Sequence, residues 1–283
     1  MSLFCVLMTG QESTEIYLFD LQEQDSNITL SNPVNISNST GYDNQPSFTE
    51  DGLAILFSSF RNGQADISKY FIEENYRVWI TDTKPNEFSP MSYPGKKKYF
   101  TCVRLNEDGS QLLYKYAYKN KAPEVLISGL KVGYYIWFSE KIAVSYVIGE
   151  IESLQVSNFK YKIKYPIQNN IGRSIQKIPS AASLGENLIS FISLDHEVPE
   201  IYSINPLNSN SKYIADALSG SQDLAWTMKG SMLMGKGNKI YKLDPSKDKA
   251  WTPVLIECDL PLDGISRLAI SPNGKKIAVV VNE

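Results

Sequence analysis

The chain has 283 residues, of which 42% are hydrophobic, 21% charged and 11% aromatic, as is ordinary for a globular protein. Its formal net charge of −3 does not indicate the broad basic surface that nucleic acid or anionic lipid requires. No apolar run approaches the roughly 20 residues of a membrane-spanning helix. We therefore expect no nucleic-acid partner and no membrane span.

Cysteine and histidine usage limits the chemistry further. Cys5, Cys102 and Cys258 are odd in number and share no metal-like spacing, so neither a disulfide framework nor a zinc site is indicated. His196 is the single histidine, which argues against lyases that use a histidine-ligated metal. A Ser-His-Asp triad would have to include His196. Its neighbours Asp195 and Glu197 favour a solvated turn.

The first 13 residues form a separate segment with three interpretations. Leu3 to Thr9 is apolar and is followed by four polar or small residues, which fits an extra strand or the remnant of a signal peptide. Met1 to Leu3 also resembles a cloning leader. If the remnant interpretation holds, the protein is exported, and we expect a periplasmic or other extracytoplasmic location.

From Thr14 onwards the sequence alternates short apolar segments with turn residues. The clearest unit is Gly41 to Ser59, where Pro46 to Phe48 is extended, Thr49 to Gly52 is a tight turn, and Leu53 to Phe57 is a buried strand. The predicted strands, in chain order, are 14–21, 28–36, 46–48, 53–57, 65–71, 76–81, 89–93, 99–105, 111–118, 123–127, 134–138, 141–148, 151–157, 161–165, 176–181, 187–194, 200–205, 212–217, 224–227, 231–235, 239–243, 251–257, 267–271 and 276–282.

These strands repeat with a constant period. In each repeat, one residue comes last before the turn between the first and second strands. These residues are Phe48, Ser92, Trp137, Trp226 and Ile270, and they lie 44, 45, 89 and 44 positions apart. The long gap spans two periods, with a weaker copy around Pro179 to Ala182. A period near 44 with four short strands is typical of a β-propeller.

Counting strand pairs predicts an all-β, six-bladed propeller with four-stranded antiparallel blades, as one domain over residues 14–283. The C-terminal inner strands are expected to pair with the N-terminal outer strands, because closure removes the open sheet edge. Leu3 to Thr9 is left over, and it has two alternative interpretations: an extra strand in the closing blade, or part of a seventh blade.

Three units resemble the TolB-type, WD-like propeller repeat: Pro46 to Ser59, Ala225 to Asp244 and Leu268 to Val281. The resemblance implies a six-bladed propeller and an exported bacterial binding or scaffold role. TolB also carries an N-terminal α/β domain for which residues 1–13 leave no room, so we do not expect a complete TolB. Peptidase propellers carry a hydrolase domain, but no G-x-S-x-G elbow appears. The repeat therefore predicts fold rather than reaction.

In a propeller, the loops that enter the inner strands converge on one mouth of the central channel. The candidate ligand-binding residues there are Tyr42, Asp43, Asn44, Gln45, Glu87, Tyr134, Tyr135, Arg173, Gln176, Gln222, Asp223 and Arg267. One interpretation is a polar funnel in which charged groups fix a ligand and tyrosines stack on it. The other is that these residues only join neighbouring blades.

The leading functional hypothesis is a monomeric, non-catalytic propeller that binds a protein segment or glycan at the channel mouth without a cofactor. The alternative is a hydrolase or lyase acting on saccharides or lactones, with Asp43, Glu87 and Asp223 as acid, base or metal ligands. The same carboxylates suggest a channel Ca²⁺, which Arg173 and Arg267 would oppose. Carboxylates lying together would favour catalysis, and carboxylates neutralised separately would disfavour it.

Overall fold

A computed structural model of the chain describes residues 13–24, 27–119, 122–179 and 184–283. The regular secondary structure in these ranges consists of β-strands. The described residues contain no helix that is long and apolar enough to cross a membrane. The expectations for Leu3 to Thr9 lie outside the described residues.

Twenty-five strands make up the described fold. They are β1 (Thr14–Gln24), β2 (Asn27–Asn35), β3 (Asp43–Phe48), β4 (Ala54–Arg61), β5 (Gln64–Phe71), β6 (Tyr76–Trp79), β7 (Asn86–Ser92), β8 (Tyr99–Leu105), β9 (Gln111–Ala117), β10 (Glu124–Ile127), β11 (Val132–Ser139), β12 (Ile142–Val147), β13 (Ser153–Asn158), β14 (Ile163–Asn169), β15 (Ile171–Lys177), β16 (Ile189–Ser193), β17 (Glu200–Ile204), β18 (Ser211–Asp216), β19 (Leu224–Trp226), β20 (Met232–Lys236), β21 (Lys239–Leu243), β22 (Thr252–Pro253), β23 (Leu255–Ile256), β24 (Arg267–Ile270) and β25 (Lys276–Asn282).

The strands form six sheets, which confirms the predicted six-bladed propeller. Blade 1 has the order β24, β25, β1, β2 and β23, and it is closed by strands from both ends of the chain. Blades 2 to 6 each contain four consecutive strands: β3–β6, β7–β10, β11–β14, β15–β18 and β19–β22. Neighbouring strands are antiparallel, apart from the parallel contact of β23 with β2.

Closure occurs where the sequence predicts it. β1 pairs antiparallel with β25 from Thr14 opposite Asn282 to Asp20 opposite Lys276. On these strands Ile16 and Val280 are fully buried and pack with Ile55 and Phe57 of blade 2. The closing strands are thus held by blade-to-blade packing as well as by their own hydrogen bonds.

The second strand of each blade is sandwiched between two neighbouring blades, which explains its continuous apolar character. All five residues of β16 are buried, and so are the first six of β4. A strand covered on both faces loses the alternation of a half-exposed strand. Each fully buried aliphatic or aromatic side chain contributes about 1.5–3 kcal/mol.

Three of the six inner strands begin well before the residue that the sequence predicts. β3 begins at Asp43, β7 at Asn86 and β15 at Ile171, which is three to five residues before the expected starts. The register of each strand with its neighbour shifts near its start, and the bulges on β3 and β7 contain Gln45 with φ 58° and Ser89 with φ 51°. A bulge adds an unpaired residue and interrupts alternation, so the pattern conceals the strand's first half.

Candidate ligand site at the channel mouth

A central channel with a cavity of about 340 Å³ is lined by residues from all six inner strands. At the end where the inner strands begin, the lining is polar and contains Tyr134, Arg173, Asp223 and Arg267. At the other end, it includes Phe48, Met91, Met228 and Pro272. We call the first four residues, together with Tyr42 beside them, the polar mouth.

Asp223 is the centre of the polar mouth, because it accepts hydrogen bonds from two arginines. Arg173 donates to Asp223 Oδ2 through Nε at 3.0 Å and through Nη2. Arg267 lies with Nη1 3.3 Å from Asp223 Oδ1. This carboxylate therefore bridges blades 5, 6 and 1 through β15, β19 and β24.

Arg267 also joins the tyrosines to this cluster. Its Nη2 donates to the Tyr134 hydroxyl at 2.7 Å, and its Cζ lies 4.7 Å from the centre of the Tyr134 ring. Burial alone would lower the pKa of Arg267, but Asp223 and the phenols of Tyr134 and Tyr42 raise it, so the guanidinium is charged. Burial raises the pKa of Tyr42 and keeps its phenol neutral.

Asp43 lies in the junction between blades 1 and 2 and does not line the channel. It has no exposed surface, Ser39 Oγ donates to its Oδ2 at 2.7 Å, and Arg77 Nη1 lies 3.8 Å from its Oδ1. Burial raises the pKa of Asp43 to about 6, although Ser39 and Arg77 oppose the shift. The Thr14 hydroxyl donates to the Asp43 carbonyl at 2.9 Å, which ties this strand start to blade 1.

Glu87 occupies the equivalent place between blades 2 and 3. It is fully buried, and its Oε1 accepts hydrogen bonds of 2.6 Å from Thr83 Oγ1 and from the Tyr116 hydroxyl. Burial raises the pKa of Glu87, although hydrogen bonds from Thr81, Thr83 and Tyr116 oppose the shift. Like Asp43, Glu87 does not line the channel.

The two junctions share a sequence signal that the strand analysis missed. Ser37, Ser39 and Asp43 have the same spacing as Thr81, Thr83 and Glu87. In both, the first hydroxyl accepts a hydrogen bond from a third-strand amide, Ile16 N at 2.8 Å and Ile67 N at 2.7 Å. The second hydroxyl donates to the carboxylate. This pattern of two hydroxyl residues and an acid marks a blade junction.

The remaining predicted residues divide between channel and scaffold. Gln45 lines the channel, and its Oε1 accepts hydrogen bonds from Ser58 Oγ at 2.9 Å and Ser89 N at 2.7 Å. Gln176 also lines the channel, whereas Gln222 is exposed outside it and Asn44 is buried. Tyr135 contributes to the wall, but its hydroxyl shares a 2.7 Å hydrogen bond with Thr101 on β8.

Lys177 is a channel-lining cation that the sequence analysis did not select. It is the last residue of β15 and lies four positions beyond Arg173 on the same strand. Candidate residues were sought at the entrance of each inner strand, whereas Lys177 lies inside the predicted strand 176–181 and at the far end of the observed β15.

Potential metal ligands do not cluster in the part of the chain that the structure describes. No group of three or more His, Cys, Asp or Glu side chains there lies close enough together to hold a metal ion. Asp43, Glu87 and Asp223 belong to three separate networks. His196 is 63% exposed, and its Nε2 lies 3.7 Å from Glu200 Oε2.

Comparison with known proteins shows the fold and no closer kinship. No protein-family model and no curated relative matches the chain. A TolB candidate from Agrobacterium tumefaciens matches with a TM-score of 0.70 at 12% identity, over 97% of this chain and 99% of that one. TolB from Acinetobacter baumannii matches with a TM-score of 0.59 at 10% identity, over 96% of this chain and 64% of that one.

An enzyme also has this architecture. The oligogalacturonate lyase of Vibrio parahaemolyticus matches with a TM-score of 0.52 at 12% identity, over 96% of this chain and 98% of that one. At such identities the likeness extends to the fold alone. The expected resemblance is confirmed at that level, and the chain has the fold of the TolB-type six-bladed β-propellers.

Proposed function

We propose that this protein is a non-catalytic binding propeller that holds a protein segment or a glycan at the polar mouth of its channel. The observation that carries the proposal is the Asp223 cluster, in which two arginines and two tyrosines from different blades converge on one opening. Convergent polar groups in a concave site are typical of ligand binding. The proposal includes action as a monomer outside the cytoplasm, in keeping with the apolar segment at residues 3–9.

The arrangement of carboxylates supports binding over catalysis. Hydrolysis by paired carboxylates needs two of them facing the same substrate. Among the described lining residues, Asp223 is the single carboxylate, and both arginines neutralise it. Asp43 and Glu87 are buried in blade junctions, where a substrate would have to separate the blades to reach them.

A lyase activity on acidic saccharides is the second candidate. It is favoured by the shared architecture with the Vibrio oligogalacturonate lyase and by the arginines and tyrosines of the polar mouth. In that case the reaction would need a proton acceptor at the mouth, for which Asp223 is the single carboxylate among the described lining residues, while the neutral Tyr42 phenol could only donate a proton. Formation of an unsaturated product from oligogalacturonate, followed by ultraviolet absorbance, distinguishes this candidate from simple binding.

The binding proposal is tested with glycan and peptide arrays probed by the wild-type protein and by Tyr134→Ala. We expect ligands of the wild-type protein to lose most of their signal with this variant, because it removes one wall of the polar mouth and the partner of Arg267. Tyr161→Ala is the matched control, since Tyr161 is 62% exposed and lies in the turn between β13 and β14, the two outer strands of blade 4. Equal loss in both variants, or no change in either, would contradict a site at the mouth.

A further inference from the structure

The channel wall has a surplus of positive charge, although the whole protein has a net charge of −3. Its described lining contains the cations Arg173, Lys177 and Arg267 but only one carboxylate, Asp223. At the polar mouth two guanidiniums share that carboxylate, so the cluster lacks one negative charge. In a site partly shielded from water, such an imbalance favours an anionic ligand more strongly than it would in bulk solvent.

Arg173 is the arginine placed to meet a ligand. It binds Asp223 through Nε and Nη2, and within the described residues its Nη1 has no hydrogen-bond partner. Its side chain is 30% exposed, against 13% for Arg267, whose Nη1 and Nη2 are used by Asp223 and Tyr134. The planar fork of an arginine matches the two oxygens of a carboxylate, and Arg173 presents the free edge of such a fork to the channel.

Asp223 makes this site preorganised. By holding both guanidiniums it fixes their orientation before a ligand arrives, which reduces the entropy lost on binding. A ligand with a single negative charge would bring the cluster to two positive and two negative groups. Tyr42 stays a neutral phenol because its pKa is raised by burial, so it does not supply that charge itself.

The rest of the wall suits a small ligand rich in hydroxyl groups. Gln45, Ser47, Ser89 and Gln176 place amides and hydroxyls along the channel. Gln45 uses Oε1 for Ser58 and Ser89, which leaves its amide Nε2 for a ligand. The cavity of about 340 Å³ lies at the small end of the range of about 300–1,000 Å³ for ligand pockets, which fits a sugar unit better than a folded partner segment.

We propose that the polar mouth binds the carboxylate of an acidic saccharide, with Arg173 as the principal contact and Asp223 as a positioning residue. This inference rests on the proposed function, since it assumes a ligand at the same mouth. It goes further by stating the charge and the chemical class of that ligand.

The test is calorimetric titration of the wild-type protein with short oligomers of hexuronic acid and with the neutral oligomers of the parent hexose. We expect the acidic oligomers to bind more tightly and to weaken as salt is added. Arg173→Gln should raise their Kd about tenfold or more, as expected when a charged hydrogen-bonding partner is lost. Arg173→Lys should recover only part of the affinity, because it keeps the charge without the fork. Lys97→Gln, an equal charge change on an exposed turn, should have no effect.

Each contrary result separates the inference from the function on which it rests. Neutral oligomers that bind as well as acidic ones, with binding abolished by Tyr134→Ala, would overturn the inference and keep the mouth as the site. Preferential binding of acidic peptides would overturn the saccharide assignment. Failure of every saccharide and peptide to bind would overturn both. Thermal melts of each variant test whether it is folded, and loss of binding is attributed to the site only for variants that melt as the wild type does.

Discussion

The buried carboxyl group of Asp43 makes the stability of the folded protein depend on pH. Its pKa is 3.8 when unperturbed and is raised to about 6 in the folded protein, mainly by burial. Between these values the folded state binds a proton that the unfolded state does not, so the contribution of Asp43 to stability decreases as pH rises through this window. The shift corresponds to about 3 kcal/mol lost by pH 7 from this group.

Replacing Asp43 with asparagine should remove that dependence. Asp43→Asn retains an oxygen that can accept the hydrogen bond from Ser39 but has no charge to bury. We therefore expect the variant, relative to wild type, to be more stable at pH 8 than at pH 4.5, with a difference of about 2 kcal/mol. Urea unfolding at the two pH values measures it.

Asp51→Asn is a control whose titration lies outside this pH range. Asp51 is exposed, and a hydrogen bond from Thr49 lowers the pKa of its carboxyl group below 3.8. The stability that a lowered pKa contributes is present above the unfolded value and is lost only as the pH falls below it, so this variant should change stability by nearly the same amount at pH 4.5 and pH 8. If Asp43→Asn shifted stability equally at both pH values, the proposed titration of Asp43 would be wrong.

At the scale of elements, Gln45 connects three strands from one bulge on β3. Its side chain accepts hydrogen bonds from β4 and from the backbone of β7, while its own backbone has φ 58°. Non-glycine residues in this region persist only where surrounding contacts hold them. The Gln45 amide is therefore a joint between blades 2 and 3 as well as a part of the channel wall.

Gln45→Ala should destabilise the protein by about 1–3 kcal/mol, because it leaves the Ser89 amide and Ser58 hydroxyl without this acceptor. Denaturant unfolding measures the change. Gln176→Ala is the matched control, since Gln176 lines the same channel and its side chain makes no hydrogen bond to the described residues. Similar losses in the two variants would show that the effect comes from the channel surface and not from the joint.

The same bulges explain which parts of the fold could be predicted from sequence. The second strands β8 (Tyr99–Leu105) and β25 (Lys276–Asn282) were predicted to the residue, because each is a largely apolar run after a glycine or proline turn. The starts of the inner strands β3, β7 and β15 were missed, since a bulge breaks the alternation of each. The outer segment 251–257 was predicted as one strand, but Val254 separates it into β22, which pairs within blade 6, and β23, which pairs with blade 1.

The site was predictable in position but not in detail. Asp223 precedes an inner strand, Arg267 begins one and Arg173 is the third residue of another, and the period of the repeat alone brings these positions to one mouth. Asp43 and Glu87 occupy the corresponding positions of other blades, yet their side chains lie in the junctions. Only contacts distant in sequence, such as Tyr116 with Glu87, distinguish these two outcomes.

At the scale of the whole molecule, closure by β25 should decide whether the ring folds. A chain ending at Lys275 would leave β1 and β24 without their shared partner and would expose the buried Ile16 and Phe19. We expect such a chain to lose cooperative unfolding and to bind a hydrophobic dye, as expected of an unclosed sheet. Thermal unfolding by circular dichroism and dye fluorescence measure both effects.

A circular permutant controls for the shortened sequence. Glu283 N donates to the Ser13 carbonyl at 3.0 Å, so a short linker can join these residues, with new termini opened at the turn of Asn273 and Gly274. This permutant keeps all the strands of the described residues and should fold. A truncated chain that unfolded cooperatively near the wild-type midpoint would show that closure is dispensable.

The two strand pairings that close the ring would respond differently to mechanical force. Thr14 and Asn282 face each other at one end of the β1–β25 pair, so pulling them apart would separate that pair one residue at a time instead of shearing all its hydrogen bonds together. The parallel contact of β23 with β2, through Thr29 with Leu255 and Leu30 with Ile256, lies on the other side of β1 and would not be strained until the closing strands had parted. A ring tethered through both ends would therefore open at low force along β25 while its outer edge stayed attached.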